Sequence, residues 1–536
     1  MKATAPLPSP DSTLRLPELA AWNFYFLAKL ALYFAGVIDF HLLENLAFAA
    51  FLLLPLPLAL ARLLRQVIAI VIGLWLLHYD SHMPPLSRLF AQMEQLSTFE
   101  ADYLLELVLR FLPVNVVMTM LVGIVAYLIA NRIFRMTPVV LVAMLSILVF
   151  RPADTNNSAV ATAPQTVARA TNTPTDLSDA GLNERLDQFF SSEKNRQVAF
   201  PNIANNQADF DIIFLSVCSL SWDDMEVVNR LNHPLMSEFD ILFEQFNSAT
   251  SYSGPALLRL TRASCGQPAH QDLYEDVDPS CLLFEQLESH EFESALLMNH
   301  DGKFDSFLER TRQYGRIDAE LFPLRGFERA QKAFDGTPIF RDRDVLEQWW
   351  KTRLNNPAGK VAAIYNTPSL HDGNRIIGEE ALFGNKSYAR RLDILFSDLG
   401  QFFKTLEASG RNVVVVMIPE HGASLRGDST QISGMREIPT PSITHIPVGV
   451  KIIGPNIRRA GDPVRVGQAS SFQALGQIVA NILEFKLFNN QQYRAEDLTL
   501  NLPETDPVSQ NDGSTVMQIG GKAYLSLDGE TWTPYQ

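Results

Sequence analysis

The uneven placement of apolar residues constrains this chain more than any other feature. They concentrate before Arg151, where uncharged runs such as Phe111 to Ala130 and Met136 to Phe150 recur. Segments of that kind read as bilayer spans, because the hydrocarbon core takes about 20 helical residues to cross. Five are expected, near residues 19–38, 46–61, 63–79, 111–130 and 136–150, with four as the alternative because Lys29 falls inside the first. A lysine there either snorkels to the interface or faces a neighbouring helix. Arg62 and Arg65 mark one loop and Arg132 and Arg135 another, whereas residues 39–44 carry Asp39 and Glu44 and residues 80–110 are net acidic. Basic loops stay on the cytoplasmic side. Five spans therefore place the N-terminus in the cytoplasm and everything after residue 150 outside it. Met1 to Leu16 is polar and Pro-rich, without the basic-then-apolar order of a cleavable signal.

Residues 84–110 space apolar side chains from Leu86 to Val108 at helical intervals between charges. Such a helix lies along the outer membrane surface or packs on the spans. From Arg151 the composition shifts to Ala, Thr, Asn, Pro, Ser and Asp, and Ser158 to Pro174 almost lacks large apolar residues. Residues 151–208 thus read as a flexible linker, and the folded domain is expected from Asp209 to Gln536. With 44 Lys+Arg against 59 Asp+Glu the net charge is −15, which excludes the basic footprint a nucleic-acid partner requires.

Beyond the linker, short β-rich apolar runs alternate with helical stretches. Asp211 to Val217, Ser294 to Met298, Val361 to Tyr365, Val413 to Ile418 and Val448 to Ile453 are the expected strands; Tyr388 to Ala408 and Ser470 to Phe485 are helical. This alternation predicts an α/β sandwich with a largely parallel central sheet, whose chemistry gathers at the carboxyl ends of strands. The tail after Leu500 reads as a small β appendage with Gly520-Gly521 as a hairpin turn.

Three motifs carry chemistry. Cys218, in Phe214-Leu-Ser-Val-Cys-Ser-Leu-Ser-Trp-Asp-Asp224, places a thiol at the end of the first strand. A thiolate there ligates zinc, although a lone cysteine is also a common small buried hydrophobe. Ser253, in Ser251-Tyr-Ser-Gly-Pro255, precedes a helix-like run. A hydroxyl there sits beside free backbone N–H groups that hold phosphate oxygens, or else caps the helix. In Ile418-Pro-Glu-His-Gly422 a buried strand delivers Glu420 and His421 together, either to a metal or to a solvated turn.

Together these pieces resemble the metallo-phosphoesterase core of the alkaline phosphatase superfamily (a sulfatase-like fold), and within it the membrane-bound phosphoethanolamine transferases. Those enzymes carry an acidic residue, a Thr nucleophile and an Asp-His-Gly turn where this chain has Cys218, Ser253 and Glu420-His421-Gly422. The substitutions preserve ligand and nucleophile chemistry and count against the lipid A-directed branch. The three strings closely resemble the cellulose phosphoethanolamine transferase family of bacterial cellulose synthesis. That resemblance implies a transferase in the bacterial inner membrane, multi-pass, with a periplasmic catalytic domain. It would move phosphoethanolamine from phosphatidylethanolamine to the C6 hydroxyl of glucose units in emerging cellulose, in contact with cellulose synthase subunits. It also implies that Cys218, Ser253, Glu420 and His421 bind one Zn2+, with Ser253 the nucleophile. Tyr252, His371 in Ser369-Leu-His-Asp-Gly373 and Arg436 in Gly434-Met-Arg-Glu437 match polar active-site positions of that family, the alternative for each being a loop hydrogen-bonder. His445 sits where two-metal relatives keep a ligand, and His300 reads as a turn residue.

Cys265 and Cys281 remain, sixteen apart in a polar stretch outside the cytoplasm, and are expected to form a disulfide, the alternative being two free buried thiols. Two rival readings stand beside the transferase: a transferase or phosphodiesterase acting on lipid A or another glycan, and a non-catalytic membrane scaffold of the synthase complex.

Overall fold

A computed structural model describes residues 18–35, 38–81, 99–111, 114–148, 176–202, 208–428 and 430–535. The run Ser158 to Pro174 and the amphipathic stretch before residue 99 lie outside the described residues. The chain divides into two compact units, Met1–Glu94 with Phe111–Thr171, and Gln95–Arg110 with Asn172–Gln536.

The first unit holds α1 (Trp22–Phe34), α2 (Leu42–Leu53) and α3 (Ala59–Asp80); after α4 (Ala101–Phe111) it resumes with α5 (Val114–Ile133) and α6 (Met136–Ser146). Among the described residues, α3 is the one helix of the five expected spans long and apolar enough to cross a bilayer unaided, while Val117–Ile133 and Met136–Ser146 meet that test as a pair bent by 115°. Helices α1 and α2 have 13 and 12 residues, short of the about 20 a crossing needs. Only 17% of the apolar window of α3 is buried, the reverse of a core helix in a water-soluble protein. Lys29 faces helix neighbours: it pairs with Asp80, and Nζ donates to Asn45 Oδ1 (2.9 Å) and to the Leu76 carbonyl (3.3 Å). A carboxylate and two acceptors offset the desolvation that a buried ammonium suffers.

The second unit is built on a seven-stranded sheet of β1 (Asp211–Val217), β2 (Ile241–Asn247), β3 (Phe292–Met298), β6 (Lys360–Thr367), β8 (Val413–Pro419), β9 (His445–Ile453) and β11 (Val464–Val466), in the order β11-β2-β9-β8-β1-β6-β3. A small sheet joins β4 (Arg329–Lys332), β5 (Pro338–Phe340) and β7 (Arg375–Ile376); β10 (Arg458–Arg459) pairs with β12 (Gln492–Tyr493). The sheet is mixed: β11/β2, β8/β1, β1/β6 and β6/β3 pair in parallel, as expected, whereas β9 runs antiparallel to both β8 and β2. The segment joining β8 to β9 contributes Glu420, His421 and Arg436 to the carboxyl edge, and among its described residues the helix is the four-residue Pro441–Thr444. The chain therefore re-enters the sheet from the edge it left.

Side chains of β1 alternate between two cores, Ile212 and Phe214 on one face and Ile213, Leu215 and Val217 on the other. The first face packs against Leu475, Ile478 and Ile482, the second against Leu392, Leu395 and Phe402. Burial on both faces explains why these strands are continuous apolar runs.

The tail forms an antiparallel sheet of β13 (Val508–Asn511), β14 (Ser514–Ile519), β15 (Lys522–Ser526) and β16 (Thr533–Tyr535). Gly520 and Gly521 turn between β14 and β15 with φ of 57° and 80°, the left-handed region that favours glycine. The helix α7 (Asp179–Glu193) packs Leu182 and Phe189 on this sheet against Val508, Met517 and Trp532, and the Ser178 hydroxyl caps it by accepting from the Gly181 N–H (3.2 Å). The folded unit thus begins well before Asp209, and the linker reading fails over residues 176–202. Helix α4 docks on loops of the second unit, where the sequence suggested the membrane surface or the spans.

Candidate active site

Strands β1 and β8 are parallel neighbours with Val217 opposite Pro419, so Cys218 and Glu420 leave the sheet side by side. On the other flank β6 brings Asn366 opposite Ser216. Ser219 takes φ of 67° and turns the chain into α8 (Trp222–Val227), capped by Ser221 and Asp224 reciprocally. Asp224 Oδ2 also accepts from the Ala423 N–H (2.6 Å) and Oδ1 from the Leu425 N–H (3.2 Å), which clamps the loop after His421 onto α8. Gly422 sits inside the clamp: a Cβ there would lie 2.6 Å from Ser221 Oγ and 2.8 Å from Asp224 Oδ2.

Ser253 is the first residue of α9 (Ser253–Thr261), and Tyr252 occupies the cap position. Ser253 therefore does not serve as the cap. Its Oγ lies 3.4 Å from Cys218 Sγ and 3.3 Å from His421 Nε2. The preceding loop is braced by the C-terminal sheet: Asn511 on β13 accepts from Thr250 Oγ1 (2.9 Å) and donates to Ser251 Oγ (2.6 Å) and to the Glu437 carbonyl (2.9 Å).

Ligand atoms of Cys218, Glu420 and His421 all lie within 4.8 Å of one another, and all three side chains are buried. His421 Nδ1–H donates to the Gly422 carbonyl (2.8 Å), which leaves the Nε2 lone pair facing Cys218 and Ser253. Glu420 Oε1 accepts from Ser216 Oγ (2.7 Å) and from Asn366 Nδ2, while the buried Oε2 has no hydrogen-bond partner. Burial, then the nearby Glu420, pushes the Cys218 thiol up to about 11, and burial also raises Glu420. Burial and the Arg436 guanidinium lower His421. A thiol, a carboxylate with an orphaned oxygen and a fixed imidazole lone pair fit a divalent cation, whose charge would favour the thiolate and the carboxylate.

Arg436 Nη2 donates to His371 Nε2 (3.1 Å) and Nη1 to Ser219 Oγ (3.2 Å), within 3.4 Å of His421 Nε2. Burial, then Arg436, lowers His371 to about 3, so the imidazole is neutral. His371 and Arg436 thus join the cluster, and Tyr252 adjoins it in sequence. His445 is not brought in: its Nε2 is bonded to the Glu244 carbonyl (2.5 Å). His300 takes the turn role through Nδ1, which accepts from the Gly302 N–H (3.2 Å), and its Nε2 bonds Asn366 Oδ1 (2.9 Å), linking it to the carboxylate's support. Cys265 and Cys281 are disulfide-bonded. Ser216, Asn366, Asp224 and Asn511 escaped the sequence reading as site residues, although Ser216 and Asp224 fall within the Phe214–Asp224 motif singled out there.

Fold and site define an α/β protein, joined to apolar helices, with a Cys-Glu-His cluster able to accommodate a cation beside a serine hydroxyl at the carboxyl edge of its sheet. Family models sharpen this: the cellulose biosynthesis protein BcsG C-terminal domain matches residues 166–532 and the BcsG N-terminal domain matches residues 22–149. The chain belongs to the BcsG family. It is 39% identical to cellulose biosynthesis protein BcsG of Salmonella typhimurium over 540 residues and 39% identical to that of Escherichia coli over 543, with 96% of each chain covered in both cases. Similar solved structures include an alkaline phosphatase superfamily protein from Vibrio parahaemolyticus (TM-score 0.47, 14% identity, 66% of this chain and 87% of that one). The C-terminal periplasmic domain of EptC from Escherichia coli is another (TM-score 0.43, 13% identity, 63% and 96%).

Proposed function

We propose that the chain is a zinc-dependent phosphoethanolamine transferase. It takes phosphoethanolamine from phosphatidylethanolamine and delivers it to the C6 hydroxyl of glucose units in nascent cellulose, outside the bacterial inner membrane that its multi-pass segment spans beside the synthase subunits. The observation that carries the reading is the Ser253 hydroxyl, 3.3 Å from His421 Nε2 and 3.4 Å from Cys218 Sγ at a helix start. Family membership supports cellulose as the setting, and the motif resemblance supports the phosphoethanolamine group.

Cys218, Glu420, His421 and Ser253 would hold the zinc, which when bound supplies Lewis acidity and makes the serine hydroxyl more acidic. Ser253 Oγ attacks the donor phosphorus, the P–O bond to diacylglycerol breaks, and diacylglycerol leaves with a proton. The sugar hydroxyl then attacks the same phosphorus, loses its proton, and displaces Ser253 Oγ. Arg436 offers a fixed cation to the phosphoryl oxygens, joined by the first N–H groups of α9. His371, neutral and accepting from Arg436 through Nε2, holds that guanidinium in place beside the phosphoryl oxygens.

In bacteria making cellulose, solid-state NMR of the polymer should show phosphoethanolamine at glucose C6 with the parent chain and none with Ser253→Ala. Modification retained in Ser253→Ala would refute the nucleophile assignment. Product on another glycan alone would refute the acceptor, and no product from a folded, zinc-loaded parent would leave the scaffold role.

A further inference from the structure

Residues 99–110 belong to the stretch of sequence between the apolar helices α3 and α5, yet they pack on the loop that carries His371. Arg110 makes a bidentate pair with Asp372, Nη1 to Oδ2 at 2.7 Å and Nη2 to Oδ1 at 2.8 Å, and the Tyr103 hydroxyl donates to Oδ2 at 3.0 Å. Glu106, one turn before Arg110 on α4, binds Arg110 (2.8 Å) and Arg375, so the docking includes both ends of the turn. Burial alone would raise the Asp372 carboxyl, but Arg110 and Tyr103 hold it well below the usual range. It is therefore a carboxylate matched to a guanidinium fork.

A second grip acts on the ring of His371. The Glu100 N–H donates to the Phe334 carbonyl (3.0 Å), and the rings of Phe99 and Tyr103 lie 5.1 and 5.9 Å from that of Phe334. Phe334 in turn stacks on the His371 imidazole, with centroids 4.7 Å apart and planes 28° from parallel. His371 Nδ1–H donates to the Asp372 carbonyl (2.9 Å), so the residue whose carboxylate Arg110 and Tyr103 hold also sets the tautomer that presents Nε2 to Arg436. The Asp372 carboxylate and the His371 ring are thus both held from one short segment.

We propose that residues 99–110 are a built-in positioning element of the active site: Arg110 and Tyr103 fix the His371–Asp372 turn, and Phe99 and Tyr103 seat Phe334 under the imidazole, so that His371 meets Arg436 only with this segment docked. The inference rests on the transferase reading. Arg110 and Tyr103 are positioning residues; they act through His371 and touch neither the ligand cluster nor Ser253. Residues that begin at 172 contain every ligand and the nucleophile but lack this support.

The test uses the full chain in phosphatidylethanolamine vesicles with cellulose as acceptor, comparing the parent with Arg110→Ala, Arg110→Lys and Tyr103→Phe. Bound zinc, kcat, the donor KM and amide hydrogen exchange over residues 368–376 are read for each. Arg110→Ala should lower kcat about 100-fold, the scale of an ångström's misplacement of a catalytic group, with zinc and KM at parent values and faster exchange in the turn. Arg110→Lys keeps the charge without the fork and should recover part of the loss. Tyr103→Phe, which removes one hydroxyl, should cost about fivefold. Parent-like kcat in Arg110→Ala overturns the proposal whether or not exchange quickens, because docking would then be structural only. Should Arg110→Ala lose zinc or fail to fold, Tyr103→Phe decides: unchanged kcat overturns the proposal and a selective fall in kcat supports it. No turnover in a zinc-loaded parent would instead overturn the transferase reading, an outcome visible before any variant is compared.

Discussion

Gly422→Ala tests how the ligand turn is built. The added Cβ would stand 2.6 Å from Ser221 Oγ, 2.7 Å from Ser221 Cβ and 2.8 Å from Asp224 Oδ2. The nearest approach is about 0.8 Å short of ordinary van der Waals contact. Neither neighbour is free to give way, since Ser221 and Asp224 cap α8 and Asp224 is also bonded to the Ala423 and Leu425 N–H groups. The displacement therefore falls on the turn itself, whose carbonyl at Gly422 fixes the His421 tautomer. A shift approaching 1 Å in a catalytic group costs about 100-fold in rate, and overpacking of this kind destabilises by about 1–3 kcal/mol. Headgroup release from labelled phosphatidylethanolamine and bound zinc should both fall while the protein still inserts and folds. Turnover within a few-fold of the parent with full zinc content would refute the clamp as the device that positions His421.

Zinc content of the purified full chain should be near one per chain and fall sharply in Cys218→Ala and in His421→Ala, as measured by atomic emission; undiminished zinc in both would remove the cluster from consideration as a metal site. Replacing Cys265 and Cys281 together by serine opens a loop of sequence separation 16, worth about 3 kcal/mol in the chain-entropy model, to be read as a lowered urea midpoint. Burial raises Asp342 to about 6 against the hydrogen bonds it accepts, so the folded protein binds this proton more tightly than the unfolded chain. The resulting stability is present below the unfolded pKa and lost as pH rises through about 6. Between pH 4 and 6 the urea midpoint of the chelated parent should fall with rising pH, and Asp342→Asn should flatten that slope.

How much the sequence reveals depends on whether a residue's role is set locally. Strands β1 and β8 were legible almost to the residue because both faces are buried, which makes them near-continuous apolar runs. Strand β2 was not, because Glu244 and Gln245 are exposed at a bulge and break its run. The direction of β9 was illegible for another reason: it depends on where the preceding loop ends, not on the composition of the strand. Helix α7 hid in a polar stretch, since it buries little beyond Leu182 and Phe189. Cys218, Ser253, Glu420 and His421 stood out by lying just past strands or at a helix start. Their supports did not, because Ser216, Asn366 and Asn511 are common polar residues that gain meaning only when distant elements meet. Helix α4 was seen as amphipathic, but an apolar face does not say what covers it.

The central claim is a phosphoethanolamine group carried on Ser253. The full chain in vesicles should be given phosphatidylethanolamine without acceptor, quenched, digested and analysed by mass spectrometry. The account predicts a phosphoethanolamine adduct on the peptide bearing Ser253, discharged when cellulose is added and absent from Ser253→Ala. Headgroup release by a zinc-loaded chain with no adduct on that peptide, or with the adduct on another residue, would contradict it.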